Sequence, residues 1–193
     1  MRLRDSGMPG EEYWESLFDV KLVLDRLGIH PGLRDVAEFG CGYGTFTIPI
    51  ARTISGVVYT FDIDPAMVSR TTTRAQSAGI ANVVCREHDV MEHGFGLTNV
   101  DAVLLFNILH CENPHRLLRH AANAVRAGGQ ILVIHWRFDA TTPRGPSLDI
   151  RPKPEQIMQW AQQIGGLALQ GTTIDLPPWH YGLRFVRSQD TAP

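Results

Sequence analysis

The 193 residues carry 18 basic and 20 acidic side chains, and a net charge of −2 argues against an extensive nucleic-acid surface. An apolar fraction of 44% suffices for one sizeable core, yet no apolar run approaches the roughly 20 residues of a membrane span. Cys41, Cys85 and Cys111 are scattered and odd in number, which excludes a disulfide framework, and the first residues lack the apolar core of a secretion signal. One cytoplasmic domain over 1–193 is therefore expected.

Residues 11–27 place Trp14, Leu17, Phe18, Leu22, Leu24 and Leu27 near helical spacing, and Gly28 with Pro31 stops the run. One amphipathic helix is predicted there. A strand follows at about 35–39, then a glycine-rich turn, then a helix over about 44–53. Pro49 falls near the first turn of that helix, where its missing N–H costs little. Val57 to Phe61 reads as a strand closed by Asp62, and Asp64 with Pro65 reads as an N-cap and first helical position. Alternation resumes at Val83-Val84-Cys85 and ends at His88-Asp89. The apolar run Val100 to Phe106 suits a strand buried on both faces. Pro114 to Arg126 is a predicted helix ended by Gly128-Gly129, and Ile131 to Ile134 is the next strand. Four prolines interrupt the segment 136–154, which is expected to form a long ordered loop or lid. A helix at 155–164 and strands at 167–174 and 183–187 complete the pattern. Strands alternating with helices imply a mostly parallel sheet covered on both faces.

In such sheets, ligands bind beyond the carboxyl ends of the strands. Five groups of polar or glycine residues fall at those ends: Glu38 to Gly44, Asp62, Asp89, Asn107 to His110, and His135-Trp136. The first is the most informative. Gly40, Gly42 and Gly44 alternate after Glu38, whereas a dinucleotide fingerprint needs its third glycine where Thr45 stands. A carboxylate at position 38 would repel a pyrophosphate and suits a cationic ligand.

The pattern E-x-G-x-G-x-G resembles motif I of the class I S-adenosylmethionine (SAM) dependent methyltransferases, and the likeness extends over about 36–135. Within that class the chain is similar to the small type 11 group related to ubiquinone and menaquinone biosynthesis. The resemblance implies a Rossmann-like, seven-stranded, mostly parallel sheet with helices on both faces and an antiparallel last strand. It implies SAM as cofactor, held by Glu38, Gly40, Cys41, Gly42 and Gly44 around the methionine end. Asp62 with Ile63 would meet the ribose, Asp89 with Val90 the adenine, and Asn107 the α-ammonium. A carboxylate can accept two hydroxyl hydrogen bonds side by side, which suits Asp62 to that role.

Methyl transfer needs a base only when the acceptor loses a proton on attack. His110, just past the fourth strand, is the first candidate, and His135, His180 and Tyr181 come next. No metal ligand set is expected. Trp14, Trp136, His180 and Tyr181 are the candidate lining of a pocket for a small-molecule acceptor. Arg137, Arg144 and Arg151 read more readily as solvated lid residues than as an anion site. Asn107-Ile-Leu-His110 departs from the N-P-P-aromatic sequence found after the fourth strand in base and amide methyltransferases, which disfavours nucleic acid as acceptor. The rival readings are a SAM-binding partner subunit without catalysis and an NAD-dependent oxidoreductase. Composition and pattern leave the oligomeric state open.

Overall fold

The computed structural model describes residues 9–189. Its strands are β1 (Val36–Phe39), β2 (Val58–Asp62), β3 (Val83–Glu87), β4 (Val100–Phe106), β5 (Val125–Trp136), β6 (Leu167–Leu169), β7 (Ile174–Leu176) and β8 (His180–Arg187). They form one sheet in the order β3-β2-β1-β4-β5-β8-β6, with β7 also paired to β8. The first five are parallel, and β8 inserts antiparallel between β5 and the β6/β7 edge. This is the expected Rossmann-like architecture, with its edge strand split in two.

Helices cover both faces. On one, α2 (Val20–Leu27) and α3 (Thr47–Thr53) pack on Val36, Val58, Ala102, Leu104, Leu132 and Ile134. On the other, α5 (Val90–His93), α6 (Pro114–Ala124) and α7 (Pro154–Ile164) pack on Ala37, Phe39, Val103, Leu105, Ile131 and Val133. Alternate residues of each strand thus enter different cores, as the two-residue period of a strand requires. The remaining helices are α1 (Glu11–Ser16) and α4 (Pro65–Ser77). Asp64 caps α4 by accepting the Ala66 N–H at 2.8 Å, and Pro65 opens the helix, as its sequence predicts.

Several local expectations are corrected. The predicted helix 11–27 is two helices, because the Asp19 carboxylate accepts the Leu22 N–H at 3.0 Å and starts a new N-terminus. The helix predicted from 44 begins at Thr47, since the turn takes up the intervening residues. Gly128-Gly129 does not end α6, which stops at Ala124. The pair instead lies within β5, where the register against β4 shifts between Val100 and Ala102. A Cβ at Gly129 would stand 2.8 Å from the Asp101 carbonyl oxygen, so close strand approach explains that glycine. The strand predicted at 167–174 is broken between β6 and β7, and β8 starts at His180, so His180 and Tyr181 are strand residues.

Candidate functional site

The strand order reverses between β1 and β4, and the crevice beyond their carboxyl ends is where open sheets of this type hold ligands. Gly40, Gly42 and Gly44 shape its floor with φ of 84°, 50° and 77°, a region that side chains with a Cβ enter at a cost. The turn is tied to β2. Phe61 O accepts the Gly40 N–H at 2.7 Å, and Asp62 Oδ2 accepts the Gly42 N–H at 3.1 Å. Asp62 Oδ1 accepts the Asp64 N–H at 3.0 Å, which fixes the carboxylate in plane while leaving it half-exposed. Cys41 is buried with its Sγ 3.7 Å from Asp62 Oδ2, and burial pushes its thiol up, far from ionising.

Glu38 is 2% exposed and does not point into solvent. Its Oε2 accepts hydroxyl hydrogen bonds from Thr47 at 2.5 Å and Thr60 at 2.8 Å. Burial raises its carboxyl from 4.5 to about 7, the two threonines opposing and nearby Asp62 reinforcing the shift. The group therefore sits at the midpoint of its titration near neutrality, where a cation in the cleft would drive it to the anion.

Asp89 follows β3 and caps α5 by accepting the Glu92 N–H at 3.1 Å, beside the fully buried Val90, while Ile63 is half-buried after Asp62. Asn107 follows β4 with φ of 55°, and both its side-chain oxygen and nitrogen are buried without a hydrogen-bond partner. Such a buried amide costs about 1–3 kcal/mol in a folded protein unless something completes it. These groups lie at successive strand ends, and a Cβ on Gly40 would reach within 3.2 Å of Ile108 Cδ1, so the turn and the Asn107 loop abut.

α1 leans on the turn. Arg70 grips Glu11 through two hydrogen bonds of 2.8 and 3.0 Å, and Arg74 bridges Glu15 and the Tyr43 carbonyl. The Tyr43 hydroxyl donates to Pro9 O at 2.9 Å.

The four candidate pocket residues do not share one surface. Trp136 and His180 are buried on the α2/α3 face, where His180 stacks on Phe18 at 4.4 Å between centroids and Trp14 meets Phe18 edge-on. Burial lowers the His180 imidazole to about 3, with Arg137 and Arg151 adding to the effect. Tyr181 points to the opposite core and donates its hydroxyl to Pro152 O at 2.7 Å. A cavity of about 700 Å³ opens instead between α6, α7 and the loop after β5, lined by Leu109, His110, Phe138, Ile150, Lys153 and Trp160. His110 thus stands at this cavity while lying three residues from Asn107 in the cleft.

The loop over 137–153 owes its form to Arg151, which is no solvated lid residue but 6% exposed. Its guanidinium donates to the carbonyls of Arg137, Asp139, Arg144 and Pro146 and to the Thr142 hydroxyl. Nothing in the sequence separates Arg151 from its neighbours Arg137 and Arg144, because its partners are main-chain oxygens. Arg137 pairs with Asp175 and donates to His180 O.

Residues 36–129 match a family model described as a methyltransferase domain. The chain is 27% identical over 109 residues to the tRNA (adenine(58)-N(1))-methyltransferase catalytic subunit of Yarrowia lipolytica. That match covers 55% of this chain and 28% of the length of that subunit. A SAM-dependent methyltransferase from Aquifex aeolicus superposes with a TM-score of 0.79 at 19% identity, covering 92% of this chain and 94% of the other. The [4+2]-cyclase SpnF superposes with a TM-score of 0.74 at 15% identity, covering 96% and 85%. The chain therefore has the Rossmann-like fold of these SAM-dependent methyltransferases, and its residues 36–129 are similar to a methyltransferase domain.

Proposed function

We propose that the chain binds SAM in the β1/β4 crevice and transfers its methyl group to a small-molecule acceptor by in-line displacement, within the type 11 group. One observation supports this above the rest: the buried Asn107 amide without a partner, beside a glycine turn and a half-exposed Asp62 carboxylate. That donor and acceptor set fits an adenosyl amino acid. Asp62 would accept from the ribose hydroxyls, Asp89 and the Val90 backbone would meet the adenine, and Asn107 would accept from the α-ammonium. Gly40, Cys41, Gly42 and Gly44 would approach the methionine portion, with Glu38 beneath as a nearby carboxylate. Bound there, SAM supplies a methyl group on a sulfonium that is already a good leaving group. The chain's own part is to align the acceptor and exclude water.

The acceptor would sit in the cavity beside His110, whose mixed apolar and polar walls suit a small molecule. The tRNA-modifying relative supports a second reading, an RNA acceptor, which the net charge of −2 disfavours. The fold shared with a cyclase makes a direct test of methyl transfer necessary.

Calorimetry with SAM and S-adenosylhomocysteine (SAH), with NAD as control and Asp62→Ala alongside, tests the cofactor. Micromolar binding of both adenosyl ligands, weakened roughly 10- to 100-fold in the variant, is expected from loss of about 1–3 kcal/mol of hydrogen bonding. Heat with NAD alone would overturn the assignment. SAM turnover to SAH with a panel of phenols, amines and tRNA then separates catalysis from a binding-only role and names the acceptor class.

A further inference from the structure

The cavity between α6, α7 and the loop after β5 has charged lining residues as well as apolar ones: Asp149, Arg151 and Lys153. Asp149 is exposed and Arg151 is buried, so the deeper charge is positive. The Arg151 guanidinium spends its donors on loop carbonyls and the Thr142 hydroxyl, and it therefore adds a field rather than an open donor. Lys153 differs. Its ammonium lies 4.5 Å from the centroid of the Phe138 ring, and among the described residues it has no carboxylate or hydrogen-bond acceptor of its own. A ring face attracts an ammonium without completing its three N–H donors. The Lys153 main-chain N–H donates to Gln156 Oε1 at 2.8 Å, which fixes the start of α7 and with it the base of the lysine side chain.

One open ammonium matches one carboxylate. A phosphate monoester brings close to two negative charges and three acceptor oxygens, more than a single ammonium completes, and an RNA strand brings a row of charges where this rim offers one open cation. The walls define the rest of the ligand. Phe138 and Trp160 present aromatic rings, and Leu109, Leu148 and Ile150 add aliphatic surface. An aromatic guest gains ring contacts there beyond the area it buries. Lys153 and Phe138 are both exposed and so stand at the rim, where an anion meets the ammonium against an apolar wall instead of in open water.

We propose that this cavity selects aromatic monocarboxylates as acceptors, and that Lys153 is the residue that binds the carboxylate. The inference rests on the reading of the cavity as the acceptor site of a methyltransferase, and it narrows that reading to one chemical class. The carboxylate anchors at Lys153 on the rim, and the aromatic body lies along Phe138 and Trp160. The far end then reaches Leu109 and His110, which follow Asn107 at the end of β4. A neutral molecule of the same shape lacks the anchor and binds more weakly.

The test is calorimetry on the full chain with 4-hydroxycinnamate and its neutral counterpart 4-hydroxycinnamamide, each titrated with and without saturating SAH. The wild type is expected to bind the acid about five- to tenfold more tightly than the amide, the range for one partly exposed charge-assisted contact. Lys153→Met keeps an unbranched side chain and removes the charge, so it should bind the two about equally. Lys153→Arg should keep most of the preference. Raising salt from about 50 to about 500 mM should erode the advantage of the acid and leave the amide unchanged. Ile150→Trp narrows the cavity and should weaken both probes roughly tenfold. Equal affinity for acid and amide in the wild type, a preference that survives Lys153→Met, or no binding of either probe overturns the proposal. Unmoved affinities in Ile150→Trp overturn it as well, because the probes then bind elsewhere. If a variant does not fold, the salt dependence of the wild type decides by itself. SAH titrated alone reads the cofactor separately. SAH binding without a preference for the acid sinks the selectivity alone, whereas failure to bind SAH sinks the methyltransferase reading beneath it.

Discussion

Replacing Glu38 by Gln should flatten the dependence of stability on pH. The carboxyl is raised from 4.5 to about 7, chiefly by burial, so the folded chain holds this proton more tightly than the unfolded one. Stability from this group is then greatest at low pH, where both states are protonated, and it declines as pH rises from about 4.5 to about 7. At about 1.4 kcal/mol per pH unit that interval makes a loss of about 3 kcal/mol. Glutamine is nearly isosteric and its oxygen can still accept from Thr47 and Thr60, so the two proteins should be about equally stable at pH 4.5. By pH 8 the variant should be more stable by about 3 kcal/mol. Urea unfolding at half-unit pH steps measures this, and the difference between the two proteins cancels every other titrating group. Parallel curves from pH 4.5 to 8 would refute the argument. A cationic ligand should meanwhile expel the Glu38 proton near pH 7, read as buffer-dependent heat of SAM binding that the variant lacks.

Asn107→Gly keeps the positive φ and removes the uncompleted amide. The free protein should lose no stability, while SAH binding by calorimetry weakens roughly tenfold, about 1.4 kcal/mol. Gly40→Ala introduces a Cβ at φ of 84° and 3.2 Å from Ile108 Cδ1, and thermal unfolding should show a loss of about 1–2 kcal/mol. Arg151→Met removes the donors that gather the loop carbonyls. A stability loss of about 3 kcal/mol is expected, with new proteolytic cleavage between 138 and 150, and Arg151→Lys should recover only part because an ammonium lacks the planar fork.

The parts legible from the sequence are those set by local chemistry. The glycine turn declared itself by spacing, Asp64-Pro65 by capping preference, and the strand-end position of Asp62, Asp89 and Asn107 by alternation of apolar runs. What was hidden depends on the third dimension. Gly128-Gly129 reads as a helix stop in the sequence because a close approach between paired strands asks for the same glycine as a helix end. Trp136, His180 and Tyr181 lie close in pairing register, yet Tyr181 faces the other core, and no composition cue separates a core tryptophan from a pocket one. The cavity walls at Phe138, Ile150 and Trp160 come from three segments that only folding unites.

Arg151 has a consequence for how the acceptor preference of such a protein can change over time. The loop after β5 is gathered by one guanidinium on main-chain oxygens, and every residue type supplies those oxygens. Phe138 and Ile150, which face the cavity from this loop, are therefore not the groups that give it shape. Cavity-facing positions can drift in size and polarity while the scaffold stays the same, so a lineage can try new acceptors without first surrendering its fold.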